Sequence, residues 1–222
     1  MPDFPVLLQL VGRYCVVFGG GPVALRKGEA LVQAGARVRL IAPEVPTGEQ
    51  LPGAIEWTRR PYLKGDLEGA YLAVAATNVR HVNAEIVEEA RSCGVLINVA
   101  DVPEDGDFTM PAVVRRGDLT LCAATNGRSP ALAAVLRQRL EETFGPEWSL
   151  LLDVAAALRG KQLTVEGRDK YHQEVLHRLV EGGLPALIAT GAPEAVDRLL
   201  ESVLGRGFSL AELGITLPKG KS

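Results

Sequence analysis

The chain has 222 residues, 47% of them hydrophobic and 23% charged, with a formal net charge of −3. This is the composition of a globular protein with a sizeable core, which excludes the disordered and fibrous classes, and the length predicts one principal domain with smaller appendages. The small negative charge, with no Lys/Arg block, excludes the electrostatic footprint of a nucleic-acid or anionic-membrane binder and points to a small-molecule partner.

The opening Met1-Pro2-Asp3-Phe4-Pro5 lacks the basic region and apolar stretch of a secretory signal, and no later apolar run is long enough to span a bilayer. A cytoplasmic protein is expected. Tyr14–Phe18 is a short apolar run ending in three glycines, the pattern of a buried parallel strand. Residues 23–34 are rich in Ala, Leu, Lys and Glu and precede Gly35, which predicts a helix closed by a left-handed residue. A strand at 37–42 completes a strand-helix-strand unit with a right-handed crossover. The alternation continues with a short strand at 54–59, a buried strand at 71–75, a helix at 83–93 and a strand at 95–99. The fold class this predicts is α/β, a Rossmann-type doubly wound parallel sheet. Cys15, Cys93 and Cys122 lie far apart in apolar runs, which predicts buried thiols in a reducing compartment rather than a disulfide frame or a metal site.

Past residue 100 the pattern changes. Residues 112–115 and 119–124 flank Arg116-Gly117-Asp118 and read as strand, tight turn, strand. Ser129 is a predicted N-cap and Pro130 the first helical position of a helix with Leu132, Leu136 and Leu140 on one face. After Pro146 the chain reads as helices at 148–159, 169–180 and 193–204, broken by Gly182-Gly183, Gly191 and Gly205, with a frayed tail at 218–222. The expected division is a dinucleotide-binding domain at 1–111, a small α+β dimerisation region at 112–145 and a helical C-terminal domain at 146–222. The middle region is expected to dimerise because its strands and amphipathic helix leave the alternating sheet and need an apolar partner surface.

Gly19-Gly20-Gly21-Pro22-Val23-Ala24 fits G-x-G-x-x-G/A between a predicted strand and a predicted helix, the context a dinucleotide loop requires. Gly19 permits the tight turn, Gly21 lets the backbone approach a pyrophosphate, and Ala24 keeps helix and sheet close. Pro22 and Val23 begin a helix whose free N–H groups and positive dipole end favour an anion. The acid that would hold the adenosine ribose comes late, at Glu44, so either Glu44 or the backbone of Ala42 and Pro43 serves there; no arginine directly follows the strand, which favours NAD over NADP. Thr77 and Asn78 end a buried strand, where they contact cofactor, cap the next helix, or both. Asp101 stands just beyond another strand, as a base, a cation ligand or a turn residue. His81, His172 and His177 make no metal-ligating cluster, and no resident metal is expected.

Four motifs in order carry a resemblance: Val17-Phe18-Gly19-Gly20-Gly21-Pro22-Val23-Ala24 with Arg26-Lys27; Ala75-Ala76-Thr77-Asn78; Asn98-Val99-Ala100-Asp101 with Phe108-Thr109-Met110-Pro111; and Thr125-Asn126-Gly127-Arg128-Ser129-Pro130. Together, over about residues 1 to 145, they resemble the precorrin-2 dehydrogenase and sirohydrochlorin ferrochelatase family, the N-terminal module of siroheme synthases. The resemblance implies NAD-dependent oxidation of precorrin-2 to sirohydrochlorin in a homodimer, with Asp101 as the essential aspartate. In bifunctional relatives the same cleft inserts metal, so Fe2+ or Co2+ is a candidate chelation substrate. Asn126 and Arg128 depart from the glycine or serine of relatives with a serine-rich segment there.

The substrate is a polycarboxylate, which makes Arg115, Arg116 and Arg128, with Thr125 and the Ser129 helix N-terminus, candidate acid-binding groups. The competing reading is an NAD(H)-sensing module without catalysis, which would bind the dinucleotide and need no carboxylate at Asp101.

Overall fold

Apolar runs become the strands of a parallel sheet in the computed structural model, which describes residues 3–46, 51, 54–161 and 168–218. The sheet holds β1 (Tyr14–Phe18), β2 (Arg37–Ile41), β3 (Ile55–Thr58), β4 (Leu72–Ala75) and β5 (Leu96–Val99) in the order β3-β2-β1-β4-β5. Every pairing is parallel, with Phe18 beside Ile41 on one side and Ala75 on the other. Strand order therefore reverses between β1 and β4, the point where open parallel sheets of this kind take their ligands, outside the C-terminal strand ends. This is the expected Rossmann-like α/β fold.

Helix α1 (Pro22–Gln33) follows β1, and α2 (Arg80–Cys93) follows β4. The strands alternate between two apolar layers, because successive side chains point to opposite faces. Cys15, Val17, Leu40, Leu72 and Val74 pack with Ala24 and Leu31 of α1. Val16, Phe18, Ala73, Ala75, Ile97 and Val99 pack with Ile86, Val87 and Ala90 of α2. Burying a side chain such as Leu31 or Ile86 contributes roughly 1.5–3 kcal/mol.

The chain divides into two compact units: the described residues up to Met110 with Asn126–Arg128, and Pro111–Thr125 with the described residues from Ser129 onward. The second contains an antiparallel hairpin, β6 (Ala112–Arg116) and β7 (Leu119–Ala123), turned at Gly117-Asp118. Then come α3 (Pro130–Thr143), α4 (Glu147–Lys161), α5 (Arg168–Glu181), α6 (Leu184–Ala189) and α7 (Pro193–Leu204). Leu151, Val154, Leu158, Leu179, Leu184, Val196 and Leu200 form the core of the last four helices.

Two expectations are corrected. The glycines at 182, 183 and 191 bracket a further short helix, α6, rather than a break between two helices. Only Cys15 is a buried thiol, pushed up to about 11 by that burial; Cys93 and Cys122 are exposed. Cys93 ends α2 before left-handed Gly94, and Cys122 lies in a hairpin whose strands are not covered on both faces, so an apolar run did not mean burial. Residues 219–222 of the expected frayed tail and the side chain of His172 lie outside the described residues.

Candidate functional site

The glycine loop bridges β1 and α1 at the sheet's C-terminal edge. Gly19 has φ +113°, and a Cβ there would fall on the Ala76 carbonyl; side chains rarely tolerate either condition. At Gly20 a Cβ would fall on the Glu44 carbonyl, so the second position of the motif is constrained too, which the fingerprint alone does not reveal. Gly21 differs: a Cβ there meets nothing within 4 Å. It is the N-cap of α1 (φ −74°, ψ 169°), with no side-chain cap hydrogen bond and no acid in the first turn. The helix's first main-chain bond runs from Leu25 N–H to the Gly21 carbonyl at 3.1 Å, so the N–H groups of Val23 and Ala24 have no carbonyl partner within the helix. Open space beside Gly21, free donors and a positive dipole end fit a pyrophosphate.

At the end of β2, Ala42 is buried and its main chain is engaged with β3: its N–H donates to Thr58 O at 3.2 Å, and its carbonyl accepts from Trp57 Nε1 at 3.0 Å. Pro43 and Glu44 are exposed.

The β4 and β5 ends are joined by a residue that sequence reasoning did not single out. Asn83, in the first turns of α2, is only 3% exposed. Its Oδ1 accepts from Thr77 N–H at 3.2 Å and from Thr77 Oγ1 at 2.7 Å. Its Nδ2 donates to Thr77 O and to Asp101 Oδ1, both at 3.1 Å. Thr77 and Asp101 are thereby brought together through one amide. Helix α2 begins earlier than expected, at Arg80, with Val79 as N-cap and no side-chain cap; Thr77 Oγ1 instead accepts from Val79 N–H at 3.2 Å in the turn before it. Asn78 is exposed in that turn.

A second polar chain crosses the other face of the sheet. Lys27 Nζ on α1 donates to Asn98 Oδ1 at 2.8 Å, and Asn98 Nδ2 donates to Phe108 O at 2.8 Å. Burial first, and the neighbouring Arg26 second, pull the Lys27 ammonium below its usual range. Two of the sequence motifs are thus tied by two side chains whose spacing of 71 residues gives no local signal.

Beneath the loop, Tyr62 sets its ring edge-on to Phe18 at 5.4 Å and donates its hydroxyl to buried Glu89, which also accepts from Gly65 and Leu67 N–H at 3.0 and 3.1 Å. Burial and Glu89 raise the Tyr62 phenol above its ordinary range. Arg60 grips Asp66 bidentately, at 2.8 and 2.5 Å. Burial opposes the Asp66 charge, but the hydrogen bonds from Arg60 and Leu63 N–H, with the charges of Arg60 and Arg39, outweigh it and hold the carboxyl below its usual range.

In the second unit, Arg115 is exposed on β6 opposite Thr120. Arg116 directs its guanidinium to the carbonyls of Phe144 (2.7 Å), Arg115 (3.0 Å) and Glu141 (3.2 Å), which satisfies the C-terminal end of α3. Thr125 Oγ1 donates to Ser129 O and accepts from Ser129 N–H, and Ser129 Oγ caps Leu132 N–H at 3.1 Å. Arg128 is exposed, after Asn126 (φ 49°) and Gly127 (φ 72°) in left-handed conformations. His81 is exposed on α2, and His177 pairs with Glu181 at 3.2 Å. Among the described residues no group of three or more His, Cys, Asp or Glu side chains is placed to hold a metal, and no helix is long and apolar enough to cross a membrane.

Residues 6–112 match a family described as putative NAD(P)-binding, which supports NAD as the cofactor. The chain is similar to the siroheme synthase of Nitrosococcus oceani, 34% identical over 217 residues, covering 94% of this chain and 45% of that protein. It is also similar to the siroheme synthase of Ectopseudomonas mendocina, 35% identical over 209 residues, covering 92% and 44%. The chain spans less than half the length of these relatives. The solved structure of SirC, a precorrin-2 dehydrogenase, shares the fold with a TM-score of 0.69 at 24% identity, covering 90% of this chain and 98% of that one.

Proposed function

We propose that this chain is of the family of the N-terminal module of siroheme synthase and that it oxidises precorrin-2 to sirohydrochlorin with NAD. The observation that carries the reading is that an uncapped helix N-terminus and a carboxylate joined through Asn83 to the β4 turn both follow the C-terminal ends of strands in one parallel sheet. When bound, NAD supplies the hydride acceptor. The N–H groups at the start of α1 hold its pyrophosphate, and Thr77 and Asn78 border it. NAD is favoured over NADP because Arg60, two positions after β3, is committed to Asp66.

Oxidation of the macrocycle also releases a proton, and Asp101 accepts it. Among the described residues, the Asn83 contact is the one hydrogen bond of Asp101, which leaves Oδ2 available to substrate. Arg128 is the candidate partner of the substrate carboxylates, while Arg116 is committed to the C-terminal carbonyls of α3. The region from Ala112 to Phe144 dimerises. Support comes from α3, which buries no residue and exposes Leu132 (50%), Val135 (56%) and Leu136 (39%).

Purified protein incubated with precorrin-2 and NAD should form NADH and the sirohydrochlorin spectrum together. Adding Fe2+ or Co2+ tests whether metal is then inserted. NAD binding without loss of precorrin-2 would overturn the dehydrogenase reading in favour of a nucleotide sensor.

A further inference from the structure

We propose that Asn83 is a positioning residue for this chemistry: its amide fixes the Asp101 carboxylate against the Thr77 turn, so that proton acceptor and cofactor loop keep one register. The inference rests on Asp101 being the proton acceptor. Asn83 occupies the core face of α2, one turn before Ile86 and Val87, which are both buried. An amide buried there is costly unless its hydrogen bonds are made. All are made: two to Oδ1 and two from Nδ2.

Which way the amide faces is not arbitrary. Thr77 N–H is an obligate donor, so Oδ1 must turn to it and Nδ2 must turn to Asp101. A side chain needed only to close the β4 turn would have its work done by the Thr77 contacts. The bond to Asp101 is additional, and it reaches 18 residues along the chain to an exposed carboxylate that has no other hydrogen bond among the described residues.

Asn83→Asp tests this, because it keeps size and both acceptor contacts with Thr77 while deleting both donors and setting a second carboxylate beside Asp101. At neutral pH kcat should fall about tenfold or more, and the acid limb of its pH profile should rise by about one unit or more, with KM for precorrin-2 and NAD affinity changed less than about threefold. Arg80, His81, Glu85, Glu88, Glu89, Arg91 and Cys93 on α2, and Glu104, Asp105 and Asp107 beyond Asp101, are titratable or charged groups of the adjoining segments and are unaltered in the variant. Loss of kcat by the same factor at every pH, with the limb unmoved, would make Asn83 merely structural.

Asn83→Ser covers the case in which the aspartate variant misfolds: its hydroxyl is too short to bridge Thr77 and Asp101. It should lower kcat alone but add nothing in an Asp101→Asn background, whereas a multiplicative further loss would overturn the proposal. Wild-type turnover in Asp101→Asn would defeat the reading of Asp101 and this inference together. An inactive Asp101→Asn beside Asn83 variants with wild-type kcat and pH profile would defeat this inference alone.

Discussion

Gly20 and Gly21 are adjacent but answer to different constraints. Gly20 faces backbone, the Glu44 carbonyl, so Gly20→Ala must shift the end of β2 and should lower stability by about 1–3 kcal/mol in urea unfolding. Gly21 faces open space in an extended conformation, and an aspartate there would serve as an ordinary N-cap. Gly21→Asp should therefore leave stability equal or slightly raised while weakening NAD about tenfold or more by calorimetry, since its carboxylate opposes the pyrophosphate. Equal NAD affinity in the folded variant would remove the dinucleotide from this loop. At Asp101, replacement by Asn keeps size and deletes charge and basicity, so turnover should drop on the order of 100-fold with NAD affinity nearly unchanged. Retained turnover would leave Asp101 a turn residue.

Helix α3 shows how an element can be locally well specified yet incomplete. Ser129 caps it, Pro130 begins it and Arg116 satisfies its far end, so its boundaries are secure without any buried side chain. Ser129→Ala should cost about 1 kcal/mol, read as a lowered unfolding midpoint. The exposed Leu132 and Leu136 lie one turn apart, and the two-stranded hairpin beside the helix is of a kind that is marginal without further packing. Leu132→Glu with Leu136→Glu should leave the helix intact by circular dichroism and convert a dimer to a monomer in sedimentation. A wild-type monomer at micromolar concentration would contradict the assembly.

For the molecule as a whole, the connection from β3 to β4 sets a pH dependence of folding. Against the cost of burial, the hydrogen bonds from Arg60 and Leu63 N–H hold the Asp66 carboxyl below the usual carboxylate range, so it binds its proton more weakly folded than unfolded. Its stabilisation is complete at pH values above the unfolded pKa and is lost as pH falls through the lower folded value. Asp66→Asn should thus cost roughly 1–3 kcal/mol at pH 7, and the difference from wild type should shrink progressively below about pH 4. A cost that is the same at pH 7 and pH 3 would show that the charge of Asp66 is not what holds Arg60 and Leu63.

The alternating order of strands and helices, the glycine loop and the Ser129 cap were readable in the chain because each depends on neighbours a few residues away: a buried strand is a run of apolar residues, and a helix end is a cap and a proline. So was the nominal place of Asp101, just past a strand. What only tertiary structure decided depends on groups distant in sequence. The demand for glycine at position 20 comes from the Glu44 carbonyl, the exposure of Cys122 from the absence of a covering layer, and the engagement of Ala42 from Trp57. Asn83 looked like any polar residue of a helical stretch, and Lys27 like half of a basic pair. Their contacts with Asp101 and Asn98 exist because parallel strand order brings β1, β4 and β5 side by side, and a hydrogen bond is specified by where its partners lie in space rather than by their separation along the chain.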